Sequence, residues 1–519
     1  MTQSKITLKV LQFLVFIQFA ALMVINFTKS YELLDFDAAL AIRHAIEMWK
    51  NGIFLQDYNY FSTIEIDNAA FLGAPIYMVT RNLNLSLGVG HILTYGCTIY
   101  ILYDIFKNLN ASKENFFLAV LFLYTPYVTG QLSWNNMFFL SVGQYEFRII
   151  TLLLLIDLML ICDLKEHRTS HFLVIASAYF GISFWTAISS GNYVLFMIVS
   201  PFVLKALVDM LLLEKIKLNT RKNKILIISV IVSFLGWQIH NYFAGMSHRN
   251  ELPLISAQDF FLNLGNCIAG IYLLFGGLTR DPSCSLFSIR GIWTLLRFVL
   301  ISGLFFIVFK ELFFIKRNKK LSSYFSVFAF VNLSVLLLTY SNYGSSVFEE
   351  RYHILWCVML LLLSSVLITQ PCFYKTTWIK NCAFYGTLLT IIMLNLLGFR
   401  ELLRLTNSKD YEISILNKAN QANVHSIYLY NDYPTAAILR LLDLECYCIS
   451  INEDLSLNTG NFYTHYSESE MAGDKNILIC DNEDFYSLPG YMVSCYQLID
   501  TVGEQNIYYS NSNPWVQKH

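Results

Sequence analysis

The chain is short of charge and of proline: Asp, Glu, Lys and Arg make up 14% of its 519 residues, and only 9 residues are proline. Soluble domains carry about 25% charged residues, so an ordinary soluble enzyme is excluded. The net charge of −1 leaves no basic excess of the kind that nucleic-acid binding requires. No Gly/Ser-rich or repetitive tract is present, which excludes long flexible linkers. No internal repeat is visible, which speaks against transporters assembled from duplicated halves. No Cys/His spacing typical of zinc sites recurs either.

What the chain has in abundance is apolar surface. It is 55% hydrophobic and 16% aromatic, with a mean hydropathy of +0.48. Runs long enough to cross hydrocarbon lie near 8–27, 88–106, 115–130, 148–163, 171–188, 192–213, 225–243, 291–315, 324–340, 352–370 and 382–398. The expected fold is a polytopic α-helical membrane protein of about eleven transmembrane helices. The shorter Gly-rich run 266–280 reads as interfacial or re-entrant.

Basic clusters occupy every second loop, at Lys107/Lys113, Lys165/Arg168, Lys215 to Lys224, Lys316 to Lys320 and Lys375/Lys380, and Lys5 and Lys9 precede the first run. The positive-inside rule places these loops and the N-terminus in the cytoplasm. The remaining loops and the C-terminal tail then lie outside. The first apolar run lacks a small-residue cleavage site after it and reads as an uncleaved anchor.

Two outside segments are large, 28–87 and the tail. The chain divides into 1–399, the transmembrane domain, and 400–519, an extracytoplasmic domain. VHSIYLYN (424–431), CYCISI (446–451), NILIC (476–480) and QNIYYS (505–510) read as strands, with PTAAILRLLDLE as a helix between the first two. This alternation predicts a small α/β domain. Cys446 and Cys448 share one face of their strand, and each is positioned by sequence to bridge to Cys480 or Cys495 in an oxidising compartment.

The segment YELLDFDAALAIRHAIEMWKNG (31–52) concentrates the chemistry. Ala38, Ala41, Ile42, Ala45, Ile46 and Trp49 recur at helical spacing, predicting an amphipathic helix that ends near Asn51-Gly52 and lies along the outer membrane face. Asp35 stands at the N-cap and Asp37 in the first turn, where unpaired amides and the helix dipole favour carboxylates. Capping and base catalysis are both open for this pair. Desolvation at a bilayer surface raises a carboxylate pKa, the direction useful to a base.

Further polar residues are candidates for the same cavity. Glu65 and Asp67 also suit capping of a second amphipathic helix. Glu146 and Arg148 also suit a solvated loop followed by a span boundary. Asp157 is an intramembrane acid without a visible partner, and such acids are functional candidates by default. His91 and His240, within or near spans, read as hydrogen-bonded rather than metal-bound.

The span count, the acidic pair in the first outside loop and the outside α/β tail resemble the GT-C superfamily of membrane glycosyltransferases. MWKNGIFLQDYNYF (48–61) followed by AAFLGAPIYMVTRNL looks like the first-loop pattern of bacterial members. FEERYHILWCVMLLLL (348–363) resembles the Arg-Tyr signature that opens a late span. The resemblance implies sugar transfer, with inversion, from a polyprenyl-phosphate-linked donor to a hydroxyl of a glycan, lipid or protein acceptor, in a bacterial inner membrane with the site facing outside. It also implies Asp35 as base and Asp37 as the residue orienting acceptor or a divalent metal, though the two roles are interchangeable at this level. Arg351 and Tyr352 are the implied donor-phosphate ligands, with Glu349 and Glu350 beside them as competing ion-pair partners. An Arg-Tyr pair at a span end equally suits an interfacial anchor. An O-antigen-type polymerase or ligase, and a transporter or lipid flippase, are the alternative readings.

Overall fold

The computed structural model describes residues 3–515 except 56–57, 61–62, 129, 131, 165–168, 213–219, 245–254, 282, 316–318, 339–349, 371–375, 425, 445, 459–461 and 464–474. Glu349 and most of the basic loops that set the topology lie outside the described residues.

Among the described residues fifteen α-helices precede the tail: α1 (Gln3–Thr28), α2 (Phe36–Asn51), α3 (Ala69–Thr80), α4 (Leu83–Asn108), α5 (Lys113–Leu123), α6 (Trp134–Phe138), α7 (Glu146–Ile161), α8 (Thr169–Ser190), α9 (Ser200–Leu212, entered through a π-turn), α10 (Arg221–Ala244), α11 (Ala257–Leu274), α12 (Ile289–Lys310), α13 (Lys319–Leu338), α14 (Ile354–Leu367) and α15 (Thr377–Leu403). Among the described residues nine helical stretches are long and apolar enough to cross a membrane. Two of the eleven expected spans are shorter: α5 and α7. Helix α7 is buried on nearly every side, which explains its all-round apolar sequence. The Gly-rich run is no re-entrant hairpin; it is the end of the continuous α11, closed by Gly276 at a φ of 67°.

Close approach of α3 to α4 depends on glycine. A Cβ on Gly90 would stand 2.3 Å from the Ala69 carbonyl oxygen, and one on Gly73 would stand 2.4 Å from that of Ser86. Ser86 Oγ donates to the Gly73 carbonyl at 2.7 Å, tying the two helices together.

The tail begins with α16 (Asp410–Gln421) and α17 (Tyr433–Leu442) and holds two short helices, α18 (Asn482–Ser487) and α19 (Gly490–Val493). Its strands are β2 (Ser426–Tyr430), β3 (Tyr447–Ile451), β4 (Leu457–Asn458), β6 (Asn476–Cys480), β7 (Gln497–Val502) and β8 (Gln505–Ser510), in the order β4-β3-β2-β6-β8-β7. The centre β3-β2-β6 is parallel and the flanking strands are antiparallel. Central strands covered on both faces read as unbroken apolar runs, and YCISI and NILIC are buried throughout. The four predicted strands and the helix between the first two are all present; α16 and β7 were not foreseen.

Cys446 and Cys448 do share a face, with Sγ atoms 3.5 Å apart. Cys480 packs in the opposite face with Tyr428 and Leu478, and Cys495 lies against that same cluster. The sheet therefore separates the thiols, and the expected bridges to Cys480 or Cys495 do not form.

The tail is fastened to the bundle. Glu32 Oε2 accepts from the Ser408 amide at 2.9 Å and from its hydroxyl at 2.8 Å, and Lys29 Nζ donates to the Leu405 carbonyl at 2.7 Å. A two-residue strand, β1 (Tyr58–Asn59), pairs antiparallel with β5 (Phe462–Tyr463). Helix α2 keeps its predicted limits, but its apolar face does not lie on lipid. Ile42, Ala45 and Ile46 are buried with Ala70 and Phe71 around α3 and with Ile438 and Leu441 of α17. Only Trp49, 49% exposed, departs from the predicted buried stripe.

Gly90→Ala is expected to cost about 1–3 kcal/mol through overpacking, read as a lower unfolding temperature in detergent. Gly96→Ala, where an added Cβ meets nothing within 4 Å, should leave that temperature unchanged or slightly higher.

Candidate active site

The site is built where the first loop meets the ends of α7, α8 and α14. Asp35 is the N-cap of α2, in extended backbone, and its Oδ1 accepts from the Ala38 amide at 2.8 Å. The cap fixes the carboxylate in place. Burial, reinforced by the charge of Asp37, pushes its pKa up to about 6, against the pull of the Ala38 amide, Lys409 and Arg351. Asp37, in the first turn, places Oδ2 3.5 Å from the Arg351 guanidinium. Asp35 is a non-helical cap, and Asp37 is near enough for the two carboxylates to repel.

Arg351 sits in a single 3-10 turn, Glu350–His353, that leads into α14. Its guanidinium carbon is 6.0 Å from the centre of the Tyr352 ring. Glu350 Oε1 accepts from Arg280 at 2.6 Å. Arg280, in the loop after α11, thus restrains the turn that presents Arg351.

Glu65 and Asp67 do not cap α3. Asn68 does, its side chain accepting from the Phe71 amide at 3.1 Å. Asp67 Oδ2 pairs with Arg148 Nε at 3.0 Å, and its Oδ1 accepts from Ser189 Oγ. Ser189 also anchors the strand-like stretch before Asp67: its carbonyl takes the Ile64 amide at 3.0 Å and its hydroxyl the Ile66 amide at 2.9 Å. Glu65, between these anchors, is held at a φ of 55°, a left-handed conformation that glutamate seldom adopts and that clusters at functional sites. Burial, with the charges of Asp37 and Asp67, pushes it up to about 8. It is therefore mostly neutral at pH 7 and able to donate a hydrogen bond.

Arg148 lies 4.6 Å from the ring centre of Tyr145 and 4.9 Å from that of Tyr193, so its cation contacts both rings. Glu146 is neither a solvated loop residue nor part of this cluster. It is fully buried, accepts from Thr94 and lies 3.5 Å from His91 Nδ1. His91 and His240 are hydrogen-bonded, to the Ser141 and Ile188 carbonyls at 2.9 and 2.8 Å. Asp157 is absent from the site too. Asn108 donates to it at 2.7 Å, and Asp104 and His171 complete a polar contact among α4, α7 and α8.

Asp35, Asp37, Glu65 and Asp67 thus face Arg351, Arg148 and Lys409. Lys409, Arg280 and Ser189 carry no local sequence signal that would have singled them out. Among the described residues no group of three or more His, Cys, Asp or Glu side chains is arranged to hold a metal ion, and Asp37 is directed at Arg351. This donor set does not fit a divalent metal, so Asp37 is not assigned as a metal ligand.

No family model matches the chain, and no curated protein matches it. Solved structures do. The crystal structure of ArnT from Cupriavidus metallidurans in the apo state aligns over 96% of this chain and 99% of its own, with a TM-score of 0.60 at 11% identity. The fold is that of ArnT. The structure of ArnT from the same organism bound to undecaprenyl phosphate aligns over 96% of this chain and 98% of its own, with a TM-score of 0.59 and 11% identity. The polytopic helical bundle and the mixed-sheet tail expected from the sequence are therefore present, in an ArnT-like fold. At this identity the likeness to ArnT speaks to the fold alone.

The Glu65 environment makes a stability prediction. Its folded-state pKa lies above its ordinary value of 4.5, so the folded state binds more protons than the unfolded state between the two. Stability should fall as pH rises from about 4.5 to 8. Glu65→Gln, neutral throughout, should flatten that slope in unfolding-temperature scans across this range; an unchanged slope would exclude Glu65 as its source.

Proposed function

We propose that the chain is an inverting glycosyltransferase that moves a sugar from a polyprenyl-phosphate-linked donor to an acceptor hydroxyl. We place it in a bacterial inner membrane with the site facing outside. The observation that carries the reading is a cap-fixed carboxylate of raised pKa, Asp35, beside an Asp37–Arg351 pair. The ArnT fold supports it, since one solved ArnT structure holds undecaprenyl phosphate.

Asp35 takes the proton of the acceptor hydroxyl as that oxygen bonds to the anomeric carbon. The bond from that carbon to the phosphate oxygen breaks on the opposite face, and polyprenyl phosphate leaves with the electron pair. Phosphate leaves without an acid, so one base suffices, unlike the two carboxylates of inverting glycosidases. Arg351 receives the charge that grows on the phosphate, and Tyr352 flanks it. Asp37 holds the guanidinium until the donor arrives. Glu65, neutral at pH 7, donates to a sugar or acceptor oxygen, and the Asp67–Arg148 pair fixes the loop that carries it.

Asp35→Asn should lower transfer from radiolabelled polyprenyl-phosphate sugars by about 10²–10⁴-fold, the usual contribution of a general base, in protein that remains folded. The base acts ionised, so wild-type kcat/KM should fall about tenfold per pH unit below about 6. Full activity in Asp35→Asn, or a profile flat through that pH, would remove Asp35 from this role.

A further inference from the structure

Each arginine of the site meets an acid directly, Arg351 at 3.5 Å from Asp37 and Arg148 at 3.0 Å from Asp67. The third cation, Lys409, does not. Only 8% of it is exposed, yet among the described residues its ammonium makes no hydrogen bond or ion pair. Asp35 is in a matching state. Its Oδ1 is taken by the Ala38 amide, and its Oδ2 has no partner among the described residues. A buried charge without a partner is costly, so the place of Lys409 calls for a reason.

The backbone holds Lys409 beside the base. Ser408, one residue before it, is clamped to Glu32, three residues before Asp35. The Ser408 amide and hydroxyl reach Glu32 Oε2 at 2.9 and 2.8 Å, and the hydroxyl also lies 2.8 Å from the Glu32 carbonyl oxygen. Lys29 fixes the same stretch by donating to the Leu405 carbonyl at 2.7 Å. Asn407 turns the chain at a φ of 58°, and the Lys409 carbonyl receives the Ile413 amide at 2.9 Å as α16 begins. The tail thus delivers Lys409 to the loop that carries Asp35. The other charges around the couple are Asp37 on α2, Arg351 before α14, Glu32 in the first loop, and Asp410 and Glu412 on α16. Of the two cations that act on Asp35, Lys409 acts more strongly than Arg351.

A direct ion pair would occupy Oδ2 and strongly favour the charged carboxylate, leaving a weak and blocked base. A cation set at a distance favours the ionised form and leaves Oδ2 free for a hydroxyl. We propose that Lys409 is a positioning residue for the base: held across a gap from Asp35, it keeps that carboxylate ionised and open, so the tail domain completes the site. This inference rests on the reading of Asp35 as the base, and its first test needs no sugar transfer.

The full chain in nanodiscs, labelled with carbon-13 aspartate to separate Asp35 from Glu65, is titrated by infrared difference spectroscopy. The Asp35 carboxyl is the band that Asp35→Asn removes. Lys409→Met and Lys409→Gln should each move its midpoint up from about 6 by about one unit, the effect of one partly screened charge. Lys409→Arg, which keeps the charge, should restore it. Removing an ammonium that pairs with nothing strands no other charge, so both neutral variants should fold, and either one decides the matter. In the transfer assay the acid limb of kcat/KM should move up with the midpoint, and transfer should recover at higher pH. An unmoved midpoint would overturn the proposal. A loss of equal size at every pH would overturn it too and make Lys409 a substrate ligand, and loss of fold in both neutral variants would give Lys409 a structural role instead. A moved midpoint in a chain that transfers no sugar would remove Asp35 as the base and leave the Lys409–Asp35 coupling standing, so the two failures are distinct.

Discussion

The arrangement depends on the pairing of first-loop carboxylates with arginines delivered by distant helices. Asp37 meets Arg351 at the head of α14, and Asp67 meets Arg148 in the first turns of α7. Removing one partner from a buried pair such as Asp67–Arg148 typically costs about 3–5 kcal/mol because the other charge is stranded. The pairs therefore pin a polar loop onto an apolar bundle at two points, and the residues between those points have little freedom. Glu65 sits in the pinned stretch and accepts an unfavourable backbone conformation there.

The same constraint separates the jobs of neighbouring acids. Asp35 is bound to the Ala38 amide and Asp37 to Arg351, so one is set by its own helix and the other by another span. Burial raises the pKa of Asp35 against the opposing pull of the Ala38 amide. The tail contributes at both ends of this arrangement. Lys409 brings a positive charge toward Asp35, and α17 covers the apolar face of α2. The tail domain thus packs on the helix whose cap carries the proposed base.

Much of this was legible in the sequence because it is local. The Asp35 cap, the α2 period and the Gly52 stop lie within one helix, and they appear as read. The central strands of the tail were legible for a similar reason: strands buried on both faces are apolar at every position. What was hidden is long-range. Periodicity shows that α2 has an apolar face but not what covers it, and a tail helix covers it in place of lipid. Glu65 and Asp67 looked like caps because Asn68, one residue on, competes for that place. Glu146 and Arg148 are two residues apart on α7, yet one meets His91 inside the bundle and the other meets Asp67 in the loop. Bridges from Cys446 and Cys448 to Cys480 or Cys495 looked open because strand alternation gives each strand's faces but not which face of the sheet they join.

The central claim is that Arg351 receives the phosphate of a polyprenyl carrier next to Asp35. A structure of the chain with undecaprenyl phosphate bound tests it most directly. The account predicts a phosphate oxygen about 2.7–2.9 Å from the Arg351 guanidinium, the distance of a charge-assisted hydrogen bond, with Asp37 turned away from that arginine. A phosphate bound elsewhere, with the Asp37–Arg351 pair intact, would contradict it.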